Sequence, residues 1–133
     1  MNKQATRPKA ITYHKQSKVL DLTYDDTTLS IPAELLRVYS PSAEVRGHAP
    51  EERKLQTGKK HVGIKSLDPV GNYAVRIAFD DGHDTGLYGW DFLQDLGTNL
   101  EDYWERYLSE IKATNASRLP TIPVGQWSPK DPG

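Results

Sequence analysis

The densest group of residues able to do chemistry is Asp80-Asp81-Gly82-His83-Asp84, three carboxylates and an imidazole within one short stretch. Such a donor set suits a divalent cation that accepts oxygen and nitrogen ligands. The same letters also suit a tight turn, where Asp and Gly are selected for their backbone, and Asp80 and Asp81 would point to opposite sides if the strand ran through them. A second stretch, Ser40-Pro41-Ser42-Ala43-Glu44-Val45-Arg46-Gly47-His48, sits where a helix must stop. Side chains and free backbone groups there are available to a ligand or partner, or simply form a surface loop. His14 and His61 have no ligand or catalytic spacing around them and read as surface residues.

Several chemistries lack their motif. The chain has no cysteine, which removes disulfides, thiolate metal sites, iron–sulfur ligation and cysteine nucleophiles together. No G-x-S-x-G elbow positions a serine nucleophile, and neither a Walker A loop nor G-x-G-x-x-G cradles a phosphate. The EF-hand and H-E-x-x-H spacings are absent. His83-Asp84 is adjacent, not spaced as the His-x-carboxylate of a facial iron triad.

Those residues must be held by a small scaffold. The 133 residues suffice for one hydrophobic core and not for two. No apolar run approaches the roughly 20 residues of a membrane span, and the first residues lack the apolar stretch of a secretory signal, so a cytoplasmic, membrane-free protein is expected. The net charge of -1 argues against nucleic acid as a partner. Charge is unevenly spread: Arg46, Arg53, Lys54, Lys59, Lys60 and Lys65 crowd one segment, while 80–105 carries eight acids and no Lys or Arg. That split can steer a charged partner or be ordinary solvated surface.

Apolar alternation marks strands at Ile11–Tyr13, Val19–Tyr24, Leu29–Ile31, Val62–Leu67 and Tyr73–Phe79, with Thr85–Tyr88 pairing back after the Asp80–Asp84 turn. Pro32 suits the first position of a helix that stops before Ser40-Pro41. Residues 42–61 have no apolar period and read as a long excursion, and Asp68–Asn72 supplies turn chemistry. A short helix over Trp90–Leu96 places Gly97 at its left-handed exit, and Asn99 is positioned to cap the last helix. There Leu100, Tyr103, Trp104, Tyr107, Leu108 and Ile111 form one stripe at the helical period, which should cover the sheet. The organisation expected is a frayed N-terminus over 1–9, a domain over 10–113 and a Pro-rich extended tail over 114–133, whose Trp127 could dock on the domain or on a partner.

The fold class expected is α+β: a small, mostly antiparallel sheet with the C-terminal amphipathic helix packed on it. LTYDDTTLSIPAELL and IAFDDGHDTGLYGWDFL both read strand, Asp-Asp turn, strand, helix. Two related β-β-α units would produce this echo, and so would convergence on one hairpin design.

The segments LLRVYSPSAEVRGHAPEERKL and VGNYAVRIAFDDGHDTGLYGWDFLQDLG resemble the N-terminal domain of gamma-butyrobetaine hydroxylase and trimethyllysine hydroxylase, over about residues 10–110. In those enzymes the domain precedes an iron- and 2-oxoglutarate-dependent catalytic domain, so the resemblance is to the accessory part. It implies a zinc held by a C-x-C-x-x-C run and one histidine, positions that fall on Ser40, Ser42, Val45 and His83. Serine and valine cannot replace soft thiolates. A similar domain attached to P-loop ATPases of iron–sulfur cluster assembly suggests an accessory or carrier role.

The resulting expectation is a non-catalytic accessory or binding module with a protein partner, no nucleic acid and no membrane. Its contact residues would be Ser40, Ser42, Glu44, Arg46, His48, Asp81, His83 and Tyr88. The alternative is an iron or zinc protein using His83, His48, Glu44 and Asp84. Both require the exit of the first helix and the Asp-rich turn to meet.

Overall fold

The computed structural model describes residues 6–47 and 53–120. His48 and Trp127 lie outside the described residues, as do 1–5, 49–52 and the rest of 121–133. The element order is β1 (Ala10–His14), β2 (Val19–Thr23), β3 (Thr28–Pro32), α1 (Ala33–Val38), α2 (Ala43–Arg46), β4 (Ile64–Val70), β5 (Ala74–Phe79), β6 (Gly86–Gly89), α3 (Trp90–Thr98) and α4 (Leu100–Ala113). The class is α+β, but the strands form two antiparallel three-stranded sheets, β1-β2-β3 and β4-β5-β6, rather than one. Each meander runs straight into a helix, so the echo in the sequence corresponds to a repeated β-β-β-α unit. Pro32 and Gly89 open those helices with nearly the same extended backbone, φ/ψ of -65/144° and -66/154°.

The repeat is imperfect where it matters. Four residues (24–27) join β2 to β3, whereas six (80–85) join β5 to β6. His83 lies in the longer loop and folds inward.

Alternation places the core. Leu20 and Leu22 of β2, and Val75, Ile77 and Phe79 of β5, are buried while Arg76 faces out, as a sheet with one wet face requires. Helix α1 lies at the centre: every residue from Ala33 to Val38 is buried, Glu34 and Arg37 included. Buried charges persist only when paired. Glu34 receives both arms of Arg118 at 2.7 and 2.8 Å and the hydroxyl of Tyr107 at 2.6 Å. Burial first, and then the Glu34 carboxylate, pushes the Tyr107 phenol upward.

Several local expectations change. Residues 42–61 contain α2, whose Ser42 hydroxyl caps Glu44 N–H at 3.2 Å; a helix so short shows no period in sequence. Strand β4 continues through Asp68-Pro69-Val70, because it is an edge strand and Pro69 needs no ladder donor there. Pro32 ends β3 and precedes α1, so it is not the first helical residue. Gly97 lies inside α3 and leaves no left-handed exit. What it supplies is space, since a Cβ there would come within 2.9 Å of Leu29 Cβ. Asn99 turns its amide back to Asp95 instead of capping α4. On α4, Tyr107 and Ile111 are buried, but Leu108 is 37% exposed and leaves the stripe.

The segment after α2 is tied down although it has no regular structure. Lys54 N–H bonds Val45 O, and Gly58 and Lys60 N–H bond Ser117 and Arg118 O. The chain leaving α4 therefore runs along this segment as far as Arg118. Arg53 lies over the Tyr39 ring at 4.5 Å and pairs with Glu110 at 2.6 Å.

Candidate functional site

The end of α1 and the long loop of the second hairpin do meet. Ser40 Oγ lies 2.8 Å from His83 Nε2, and His83 Nδ1 lies 3.3 Å from Glu44 Oε1. The sequence reads Ser40-Pro41-Ser42, so α1 must stop here and the short α2 restarts under Ser42. Ser42 Oγ exchanges a hydrogen bond with Thr85 Oγ1 at 2.7 Å. Two serines on one side and two loop residues on the other thus clasp α1–α2 to β5–β6.

The chemistry of each partner favours one arrangement of protons. The tautomer that suits the Glu44 carboxylate 3.3 Å from Nδ1 carries the imidazole proton on Nδ1, and in that form Nε2 accepts from the Ser40 hydroxyl. Ser40 Oγ in turn accepts the Ser42 N–H at 3.2 Å. The order serine, histidine, carboxylate is that of a nucleophile and its base, but the surroundings close it. Ser40 is 3% and His83 7% exposed, and a Cβ on Gly86 would come within 2.6 Å of Ser40 Oγ. Burial, and then the Arg37 charge, push the imidazole below its usual range.

Beneath the clasp is an ion cluster that the sequence did not announce. Arg37 Nε donates to Asp81 Oδ2 at 2.9 Å and Lys59 Nζ to the same oxygen at 2.6 Å, while Asp81 Oδ1 accepts His83 N–H at 3.1 Å. Burial acts to raise the Asp81 carboxyl, but the bonds from Lys59 and His83 N–H and the charge of Arg37 outweigh it and hold it at about 2. Arg37 Nη1 is buried with no partner among the described residues. Tyr88 closes the floor, its hydroxyl donating to Leu36 O at 2.5 Å.

The candidate residues therefore divide. Ser40, Ser42, His83 and Tyr88 are buried; their polar atoms are spent inside the protein, and they cannot be the surface a partner touches. Asp81 is likewise taken up by Arg37 and Lys59. Glu44, Arg46 and Asp84 are exposed. Sequence reasoning missed Thr85, Arg37 and Lys59. An arginine amid the apolar residues of LLRVY was the available sign, since a charge in a buried helix demands a partner.

The chain matches the family described as "Gamma-butyrobetaine hydroxylase-like, N-terminal" over residues 11–94. It belongs to that family. The chain is similar to a protein whose solution structure was determined by NMR, at 46% identity and TM-score 0.75, covering 90% of this chain and 95% of that one. A second NMR structure is 45% identical with TM-score 0.73, covering 98% and 99%. A crystal structure of a protein of unknown function from Acidithiobacillus ferrooxidans, of the DUF971 family, is 35% identical with TM-score 0.58, covering 69% of this chain and 93% of that one. None of the curated proteins matches.

The residues present do not fit the thiolate zinc that the hydroxylase resemblance implies. Ser40 and Ser42 are hydroxyls, Val45 is apolar, and both nitrogens of His83 already have protein partners. Among the described residues no three His, Asp or Glu side chains gather where they could hold a metal. Asp84 makes no ion pair with His83 among those described. Among these residues, too, no helix is long and apolar enough to cross a membrane.

Proposed function

We propose that this family member is a non-catalytic accessory module that engages a protein partner through the exposed rim of the clasp, Glu44, Arg46 and Asp84. The observation that supports this is the saturation of the polar centre. Buried Ser40, Ser42 and His83 spend their hydrogen bonds on one another and on Thr85 at the edge of the clasp. A serine nucleophile needs access for an acyl group and free donors for the oxyanion, and Ser40 has its one close backbone donor bonded to itself. Internal networks of this kind hold a unique arrangement of backbone, which positions the rim above them.

An iron- or zinc-binding role is the second reading, and the contact between Glu44 and His83 is what favours it. A metal there would have to displace the Ser40 hydroxyl from Nε2 or a proton from Nδ1.

The experiment has two arms. With p-nitrophenyl acetate, wild type and Ser40→Ala should be indistinguishable; turnover lost on Ser40→Ala would overturn the reading. A partner identified by cross-linking and then purified should bind Arg46→Glu and Asp84→Lys at least about tenfold more weakly, or about 1.4 kcal/mol, with melting unchanged. Equal binding by both variants would remove the rim from the interface.

A further inference from the structure

Helix α4 carries a different surface, at the opposite end of α1 from the clasp. Leu100 and Trp104 lie one turn apart on α4 and are half-buried; with Pro32 they line a shallow groove of about 330 Å³. Glu101 and Glu105 repeat that spacing one residue on, so their carboxylates stand exposed along the rim. Neither has an ion pair among the described residues. Asp91, Asp95 and Asp102 add exposed negative charge to α3 and α4. The basic residue in the middle of α4, Arg106, is near Tyr39 and Tyr103.

The protein already shows how this indole receives a cation. Arg118 sits over the Trp104 ring, its Cζ 5.1 Å from the centroid, while its fork is held by Glu34 at 2.7 and 2.8 Å. An aromatic face with a carboxylate beside it takes a guanidinium through cation–π attraction and a charged hydrogen bond together. The groove offers Trp104 again, now with an apolar floor for a side-chain stem and two carboxylates for its head.

We propose that this groove binds an arginine-bearing segment of a partner protein, the stem lying on Leu100 and Pro32 and the guanidinium on Trp104 between Glu101 and Glu105. Charge complementarity selects this occupant: the surrounding acids attract a basic segment and repel an acidic one. A second copy of this chain offers exposed arginines of its own, Arg7 and Arg46, and is the competing occupant that sedimentation tells apart.

The test is a titration of the isotope-labelled full chain with a blocked peptide of alternating arginine and leucine, followed by NMR at the Trp104 indole and at Glu101 and Glu105. Saturable shifts confined to this groove are expected. They should weaken at least about tenfold in Glu101→Lys/Glu105→Lys, whose exposed positions leave the fold intact, and weaken with added salt. The glutamate–leucine counterpart should not bind. Shifts elsewhere, or equal binding by the double variant, would overturn the proposal, as would a dimer in sedimentation that the double variant dissolves. Asp84→Lys is the control: it should leave peptide affinity unchanged, so failure of the clasp rim and failure of this groove are read separately.

Discussion

Replacing Asp81 by asparagine tests whether the ion cluster under the clasp holds the molecule together. Asp81 is the carboxylate for Arg37, whose side chain is 8% exposed, and for Lys59. Its hold at about 2 against an ordinary 3.8 corresponds to at most about 2 kcal/mol of stability near neutral pH, reduced by solvent screening at a partly exposed carboxylate. Asparagine keeps a carbonyl for His83 N–H but leaves Arg37 charged and buried, a situation that costs about 3–5 kcal/mol in full burial. Asp81 keeps some exposure, so an expected loss of about 2–4 kcal/mol follows. Urea unfolding of Asp81→Asn, Arg37→Met and the double variant gives the cycle. Arg37→Met replaces the charge by an apolar chain of similar length and should cost less than Asp81→Asn. The double variant should be more stable than Asp81→Asn alone, with a coupling above about 1 kcal/mol. Strict additivity, or Asp81→Asn within about 0.5 kcal/mol of wild type, would show that solvent screens the pair and that the reasoning from burial is wrong.

Gly86→Ala should destabilise by about 1–3 kcal/mol through overpacking, and less in a Ser40→Ala background, because the atom its Cβ would strike is Ser40 Oγ at 2.6 Å; calorimetric melting of the four combinations checks this. His83 is held below its usual range by burial and Arg37, so its contribution is complete above the unfolded value of about 6.5 and is lost as pH falls below it; the acid-side slope of stability should shrink in His83→Gln. Arg118→Ala should cost about 2–4 kcal/mol, since it strips buried Glu34 of a two-armed partner, and Glu34→Gln in the same chain should restore part of the loss. Dialysis against a chelator should leave melting unchanged, and a drop that zinc or iron reverses would revive the metal reading.

Strand identity came from the sequence wherever one face was wet. Leu20 and Leu22, or Val75, Ile77 and Phe79, alternate with polar residues because a half-buried strand has a period of two. The last helix was legible for the analogous reason, its stripe following the 3.6-residue period. Even there Leu108 shows the limit, since a stripe gives the direction of burial and not the width of the surface that covers it.

What the residues by themselves could not disclose was pairing across distance; only the family resemblance put Ser40, Ser42 and His83 at one site. Ser40 and His83 are separated by 43 positions, as are Ser42 and Thr85, and no local rule links a hydroxyl after one helix to an imidazole in a later loop. The letters around His83 favoured a turn equally well whether the imidazole faced water or the core. Tertiary packing decided it, because the longer second hairpin reaches the end of α1 and buries what it brings. Residue types thus set the menu of bonds, and only the meeting of the two halves selected which polar atoms close on each other and which remain on the surface.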